Sequence, residues 1–145
     1  RSPLSRFILI SVGAFPVSRR RLDRGALRRA TEALHQGFPL VLFPESMRSK
    51  NAQLQPAFPG AAMLAAHNDV PILPIGITGT ERLTGAGWWL TRPKLTINIG
   101  VPFRLPPTND KLTRTDLSAY TEIIMQHIAS LLPVAYRGAY ASQGD

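Results

Sequence analysis

Apolar residues recur at helical spacing in three segments of the chain. Residues 22–36 carry leucines and alanines on one side and charged residues on the other, which predicts an amphipathic helix that ends at Gly37. Residues 59–67 are rich in alanine and begin with proline, a common first residue of helices. Thr113 and Asp116 have the spacing of a capping box and predict the start of a third helix.

Short apolar runs lie between these helices and predict strands. Residues 39–43 form a continuous apolar run, which is typical of a strand buried on both faces. Residues 72–78 predict a second strand, and residues 94–100 a third, from their alternation of polar and apolar side chains. Residues 14–18 suit a short edge strand. Strands that alternate with helices predict an α/β domain, here a mixed sheet flanked by helices.

The length of the chain agrees with one domain. Its 145 residues are enough to bury a core without disulfides or metal ions to staple it. We expect the domain to cover residues 1–133, because Pro133 ends the third helix, and residues 134–145 to form a frayed tail. The chain starts with arginine and soon enters an apolar run, so we expect it to begin inside a domain.

Positive charge is concentrated at the start of the chain. The sequence has 17 Lys and Arg residues against nine Asp and Glu, a net charge of +8, and residues 1–30 account for +7 of it. Such a block attracts a polyanion, a phosphorylated small molecule or an anionic membrane, or it is the solvated face of a helix. Nucleic-acid binding is disfavoured because the only aromatic residues there, Phe7 and Phe15, lie inside apolar runs. The lack of cysteine excludes disulfides and thiolate-bound zinc.

One segment carries reactive side chains directly after an apolar run. Residues 39–43 lead into Pro44 and Glu45, and Arg48 and Ser49 follow closely. Ligands of open α/β sheets bind beyond the carboxyl ends of strands, and arginine can hold a phosphate with two hydrogen bonds. Glu45 is placed either to orient Arg48 or to accept a hydrogen bond from a substrate hydroxyl. The alternative is a surface loop with an ion pair, which contributes little to stability.

Three blocks of the sequence, taken in order, resemble motifs of the glycerolipid acyltransferase family, whose best-known members are the 1-acylglycerol-3-phosphate (lysophosphatidic acid) acyltransferases. The motifs are approximately Gly-x-x-Phe/Pro-apolar-x-Arg, Phe-Pro-Glu-Gly-Thr-Arg-Ser and Val-Pro-apolar-apolar-Pro. Here they correspond to Gly13–Arg19, Phe43–Ser49 and Val70–Pro74. The resemblance covers about residues 7–105 and implies a glycerol-3-phosphate acyltransferase-like fold.

The resemblance also implies a chemistry and a set of binding residues. Members of the family move a fatty acyl group from acyl-CoA or acyl carrier protein to a hydroxyl of a glycerol phosphate such as lysophosphatidic acid, in phospholipid biosynthesis. They use no metal and no bound organic cofactor. By carry-over, Arg19 and Arg48 bind the phosphate of the lysophospholipid acceptor, and Glu45 and Ser49 shape the same pocket. We further expect an anionic membrane surface as a partner, no nucleic acid, and a membrane-associated location on the cytoplasmic face.

The sequence departs from the family pattern in two places. The family's catalytic base lies in a His-x-x-x-x-Asp block, but no histidine here has an aspartate five residues later. We therefore assign no catalytic residue within this chain and expect the block upstream of it. Ser46 and Met47 stand where the family has Gly and Thr; if the backbone requires a positive φ at position 46, serine costs about 1–2 kcal/mol there. The alternative function is a non-catalytic domain, descended from an acyltransferase, that binds anionic lipid or membrane.

Overall fold

The computed structural model describes three stretches of the chain, residues 24–83, 92–107 and 111–141, and the isolated residue 90. Contacts divide the chain into two compact units, residues 1–40 and residues 41–145. The predicted strand at residues 14–18 and the block Gly13–Arg19 lie outside the described residues.

The described part of the first unit contains helix α1, Arg24–His35. Its buried residues, Ala26 and Ala30, are one helical turn apart, as the apolar spacing predicts. Gly37 follows the helix with a φ of +80°, and its N–H and that of the next residue bond back to carbonyls of the last turn at 3.0 Å each. This pair of bonds is a Schellman motif, which confirms the predicted stop.

The described part of the second unit contains two α-helices and two strands: α2, Gly60–Asn68; β1, Ile75–Thr78; β2, Thr96–Ile99; and α3, Arg114–Ser130. The predicted capping box at the start of α3 is confirmed. The Thr113 hydroxyl accepts from the Asp116 N–H at 3.2 Å, and the Asp116 carboxylate accepts from the Thr113 N–H at 2.8 Å. Of the helices that the structure describes, none has the length and apolar character needed to cross a membrane.

Helix α3 contributes buried residues to both core clusters of the second unit. Met125 is fully buried, and Ala129 one turn later is 2% exposed. These two residues pack with Leu54, which belongs to a loop, and with Tyr140 near the end of the chain. The opposite end of the helix buries Tyr120 and Ile124 against Ala62 of α2. The helix therefore connects residues that are far apart in the sequence.

Strands β1 and β2 form an antiparallel pair whose two faces differ. The register places four isoleucines on one face, namely Ile75, Ile77, Ile97 and Ile99. These side chains remain between 40% and 64% exposed. The opposite face lies against the end of α3, where the Asn98 side-chain amide donates to the Leu131 carbonyl at 2.7 Å. Helices packed with a sheet confirm the predicted α/β class, with two strands in the described part of the sheet.

The prediction of a buried strand at residues 39–43 is wrong. None of these residues is in a strand, and Val41 and Phe43 are 79% and 74% exposed. A strand forms only where a neighbouring segment accepts its hydrogen bonds. Among the described residues, β1 and β2 pair with each other, and no strand pairs with residues 39–43.

The prediction of a frayed tail is wrong for residues 134–140. They form two short 3₁₀ helices, Val134–Tyr136 and Gly138–Tyr140. Tyr140 is only 8% exposed. Its ring joins the cluster around Met125, and that burial offsets the entropy lost when the segment becomes ordered. We call residues 134–140 the C-terminal segment.

Candidate functional site

The candidate site is the loop of residues 43–58, between the exposed apolar run and α2. It opens with a turn in which the Ser46 N–H donates to the Phe43 carbonyl at 3.1 Å. Ser46 has a φ of +57°, in the left-handed region that favours glycine. The backbone at position 46, where the family motif has glycine, therefore does have a positive φ.

Glu45 closes the loop on itself. Its Oε2 atom accepts a hydrogen bond from the Gln55 N–H at 2.6 Å, and the side chain is half-buried. Burial raises the pKa of the Glu45 carboxyl, and the bond from the Gln55 N–H opposes that rise in part. This hydrogen bond joins residues ten positions apart in the sequence and so fixes the width of the loop. Glu45 therefore orients the loop and not Arg48.

Ser49 lies at the centre of a small network inside the loop. Its hydroxyl donates to Asn51 Oδ1 at 2.8 Å and accepts from the Gln53 N–H at 3.0 Å. The Gln55 side chain donates to Asn51 Oδ1 at 3.2 Å and to the Gln53 carbonyl at 3.0 Å. These polar groups satisfy one another, so the loop keeps its shape without a regular ladder. The polar composition of the loop is the only sequence signal for Asn51, Gln53 and Gln55.

Arg48 differs from Glu45 and Ser49, which flank it. It is exposed, and among the described residues it makes no hydrogen bond and no ion pair. The alternative of a surface ion pair between Glu45 and Arg48 is therefore not what this part of the structure contains. Lys50, two residues later, is exposed as well. The loop thus presents a guanidinium whose five donors are available to an anion.

The far end of the loop is attached to the C-terminal segment. The Leu54 N–H donates to the Tyr136 carbonyl at 2.9 Å, and the Ala139 N–H donates to the Leu54 carbonyl at 3.4 Å. The Tyr140 hydroxyl accepts from the Ala57 N–H at 3.2 Å. Leu54 itself is buried in the core. None of these attachments was predicted, because they join residues about 80 positions apart.

The remaining residues considered for the site are Arg19 and the three histidines. Arg19 lies outside the described residues. His67 is exposed on α2, and His127 is exposed on α3, where its ring stacks on Phe103 with centroids 3.8 Å apart. His35 is exposed at the end of α1. No group of three or more His, Cys, Asp or Glu side chains within the described ranges could hold a metal ion.

The third block, Val70–Pro74, serves packing and backbone pairing, as its lack of titratable groups suggests. Ile72 exchanges two backbone hydrogen bonds with Phe103, at 2.8 and 3.0 Å. The Pro74 carbonyl accepts from the Gly100 N–H at 3.0 Å. These bonds extend the β1–β2 pairing toward α2. The block therefore joins the helix after the candidate loop to the sheet.

Comparison with known families decides the assignment. The family model described as Acyltransferase matches residues 1–78, more than half of the chain, and this range includes the whole candidate loop. The chain belongs to the acyltransferase family. Ser46 and Met47, the two departures from the motif, lie within the matched range.

Curated relatives of this acyltransferase chain carry one activity in their names. The 1-acyl-sn-glycerol-3-phosphate acyltransferase of Limnanthes douglasii is 32% identical over 126 residues, which are 81% of this chain and 43% of that protein. The chloroplastic 1-acyl-sn-glycerol-3-phosphate acyltransferase BAT2 of Brassica napus is 32% identical over 87 residues, 59% of this chain and 25% of that protein. The chain therefore spans less than half the length of these relatives.

A solved structure confirms the fold of this acyltransferase chain. The crystal structure of the 1-acyl-sn-glycerophosphate (LPA) acyltransferase PlsC from Thermotoga maritima superposes with a TM-score of 0.61. The match covers 100% of this chain and 54% of the PlsC chain, at 23% sequence identity. The predicted acyltransferase-like α/β fold is thus correct.

Proposed function

We propose that this chain is the part of a lysophosphatidic acid acyltransferase that binds the phosphate of the acceptor. The observation that carries this assignment is Arg48, an exposed guanidinium without a partner among the described residues, on a loop that Glu45 and Ser49 hold in shape. A guanidinium on a preformed loop binds phosphate without a large cost in ordering the loop. Arg19 is proposed as a second phosphate contact, by family resemblance alone.

In the proposed reaction the acceptor hydroxyl attacks the thioester carbonyl of acyl-CoA or acyl carrier protein. A C–O ester bond forms, the C–S bond breaks, and the free thiol leaves. A general base takes the hydroxyl proton, and that proton finally neutralises the thiolate. We assign this base to a His-x-x-x-x-Asp block outside the 145 residues, because none of the three histidines of this sequence fits it. No residue of this chain is proposed to act covalently, and no metal or bound cofactor is invoked.

The long-chain acceptor and the basic start of the sequence support a location at a membrane. Residues 1–30 carry eight arginines and one aspartate. An anionic membrane surface attracts such a segment by about 1 kcal/mol for each basic residue near it. We propose membrane association at the cytoplasmic face, with the lysophospholipid acceptor drawn from the bilayer. Binding to vesicles that contain anionic lipid, measured against neutral vesicles and at rising salt, tests this part.

The role of Arg48 is tested by binding glycerol 3-phosphate, a soluble probe with the acceptor's phosphate. A charge-assisted hydrogen bond contributes about 1.5–3 kcal/mol, so Arg48→Ala should raise the Kd by about 10- to 150-fold. Arg48→Lys should lose part of that affinity because lysine is a point charge without the planar fork. Arg114→Ala is the matched control, since Arg114 is exposed at the start of α3 and its loss changes the net charge equally. Equal Kd values for the two alanine variants would assign the binding to net charge and refute a specific site.

The departures at positions 46 and 47 support a second candidate function, a non-catalytic domain that binds anionic lipid. Ser46 occupies a left-handed backbone position where glycine is usual, and Met47 replaces a hydroxyl with a thioether that is 59% exposed. The discriminating assay is acyl transfer to lysophosphatidic acid, run on this chain and on a form that includes its natural upstream sequence. Arg48-dependent lipid binding without acyl transfer in the longer form would favour this second candidate.

A further inference from the structure

The C-terminal segment and the candidate loop share an interface that involves more than packing. Backbone bonds join Leu54 to Tyr136 and to Ala139. A side-chain bond joins the Tyr140 hydroxyl to the Ala57 N–H at 3.2 Å. The Tyr140 ring is 8% exposed and packs against Leu54 in the core. The far end of the loop is therefore held by residues that lie well beyond the range of the family match, which ends at residue 78.

We propose that Tyr140 is a positioning residue for the phosphate-binding loop. The near end of the loop is closed by the bond from Gln55 to Glu45, and the far end by the bond from Ala57 to Tyr140. With both ends fixed, the backbone that carries Arg48 has little freedom before the acceptor binds. This role rests on the proposed function, because it concerns the affinity of the same loop for phosphate.

Gly138 supplies independent geometric support for this role. Its φ is +51°, and a Cβ atom built on it would lie 2.4 Å from the Leu54 carbonyl oxygen. Only glycine lets the C-terminal segment approach the loop so closely, because a contact of 2.4 Å is far below van der Waals separation. The close approach brings the Ala139 N–H to the same Leu54 carbonyl. The backbone contact at Gly138 and the hydrogen bond of the Tyr140 hydroxyl thus both hold the far end of the loop.

Tyr140→Phe tests the role with the smallest change. It keeps the buried ring and removes only the hydroxyl, which leaves the Ala57 N–H without its acceptor. We expect the Kd for glycerol 3-phosphate to rise by about two- to tenfold, the range for loss of one neutral hydrogen bond. We also expect faster hydrogen exchange at the Ala57 amide, measured by NMR, since that amide would open more often.

Tyr120→Phe is the matched control. The Tyr120 hydroxyl, on a ring that is 8% exposed like that of Tyr140, donates to the Pro106 carbonyl at 2.9 Å, outside the loop. Its removal should lower the melting temperature to a similar extent but leave the Kd for glycerol 3-phosphate and the Ala57 exchange rate unchanged. Gly138→Ala is the stronger second variant and should weaken binding more than Tyr140→Phe does. Equal loss of affinity in both tyrosine variants would show a general effect of stability and overturn the positioning role.

The outcomes separate this role from the proposed function. If the unaltered chain binds glycerol 3-phosphate through Arg48 but Tyr140→Phe and Gly138→Ala bind it equally well, the positioning role is wrong and the phosphate site stands. If Arg48→Ala does not change binding, or the unaltered chain does not bind, the proposed function fails and the role of Tyr140 fails with it.

Discussion

Ser46→Gly should stabilise the folded chain, although most changes to glycine destabilise proteins. Ser46 has a φ of +57°, where an L-residue brings its Cβ atom close to a backbone oxygen. Glycine has no such clash. The Ser46 side chain is exposed and makes no hydrogen bond among the described residues, so its loss removes no contact there.

The size of the effect follows from two opposing quantities. Relief of the left-handed backbone conformation contributes about 1–2 kcal/mol. The greater freedom of glycine in the unfolded chain costs about 0.4–1 kcal/mol. The midpoints of these two ranges give a net gain of about 0.8 kcal/mol in the free energy of unfolding, which raises the melting temperature of a chain this long by about 2–3 °C.

Urea unfolding followed by circular dichroism measures this gain, and Ser46→Ala is the matched control. Alanine also has a Cβ atom, so it keeps the backbone strain while it removes the hydroxyl. We expect the alanine variant to lie within about 0.5 kcal/mol of the unaltered chain, as is usual for exposed positions. A glycine variant no more stable than the alanine variant would refute the assignment of strain to position 46.

Two further changes test the pH response of the loop and the start of α3. Burial raises the pKa of the Glu45 carboxyl, so the folded chain binds the carboxyl proton more tightly than the unfolded chain does. This tighter binding stabilises the folded chain at pH values below the ordinary pKa of 4.5. The stabilisation is lost as the pH rises through the raised pKa of the folded chain. The difference in unfolding free energy between the unaltered chain and Glu45→Gln should therefore fall from pH 4 to pH 7, and a constant difference would contradict it. Thr113→Ala should cost about 1 kcal/mol through loss of the capping box. Thr115→Ala, at an exposed helical position, should leave the free energy of unfolding unchanged in the same urea titration. Equal losses of unfolding free energy in the two variants would contradict a stabilising role of the capping box.

Features of the fold that depend on neighbouring residues were predictable from the sequence. The Schellman motif at Gly37 and the capping box of Thr113 and Asp116 each involve residues within six positions of one another. The run at residues 39–43 failed as a predictor because strand formation depends on a distant partner, which its composition does not reveal. The frayed tail failed for the same reason, since the burial of Tyr140 requires Leu54, far away in the sequence.

The candidate site was predictable in part. The family motif and the end of an apolar run indicated Glu45, Arg48 and Ser49, and the structure places all three in one loop. Their division of roles was not predictable, because composition does not show that Glu45 bonds to Gln55 rather than to Arg48. Whether Arg19 approaches this loop stays a prediction.

The separation of roles within the loop has an evolutionary consequence. Glu45 and Ser49 form hydrogen bonds that hold the loop, whereas Arg48 and Lys50 are exposed. Substitution of an exposed side chain without buried contacts usually changes stability by less than about 0.5 kcal/mol. Selection can therefore alter the charge that this loop presents in single steps that leave the fold intact. Under the proposed function, such steps would change the preferred acceptor headgroup while the scaffold stays the same.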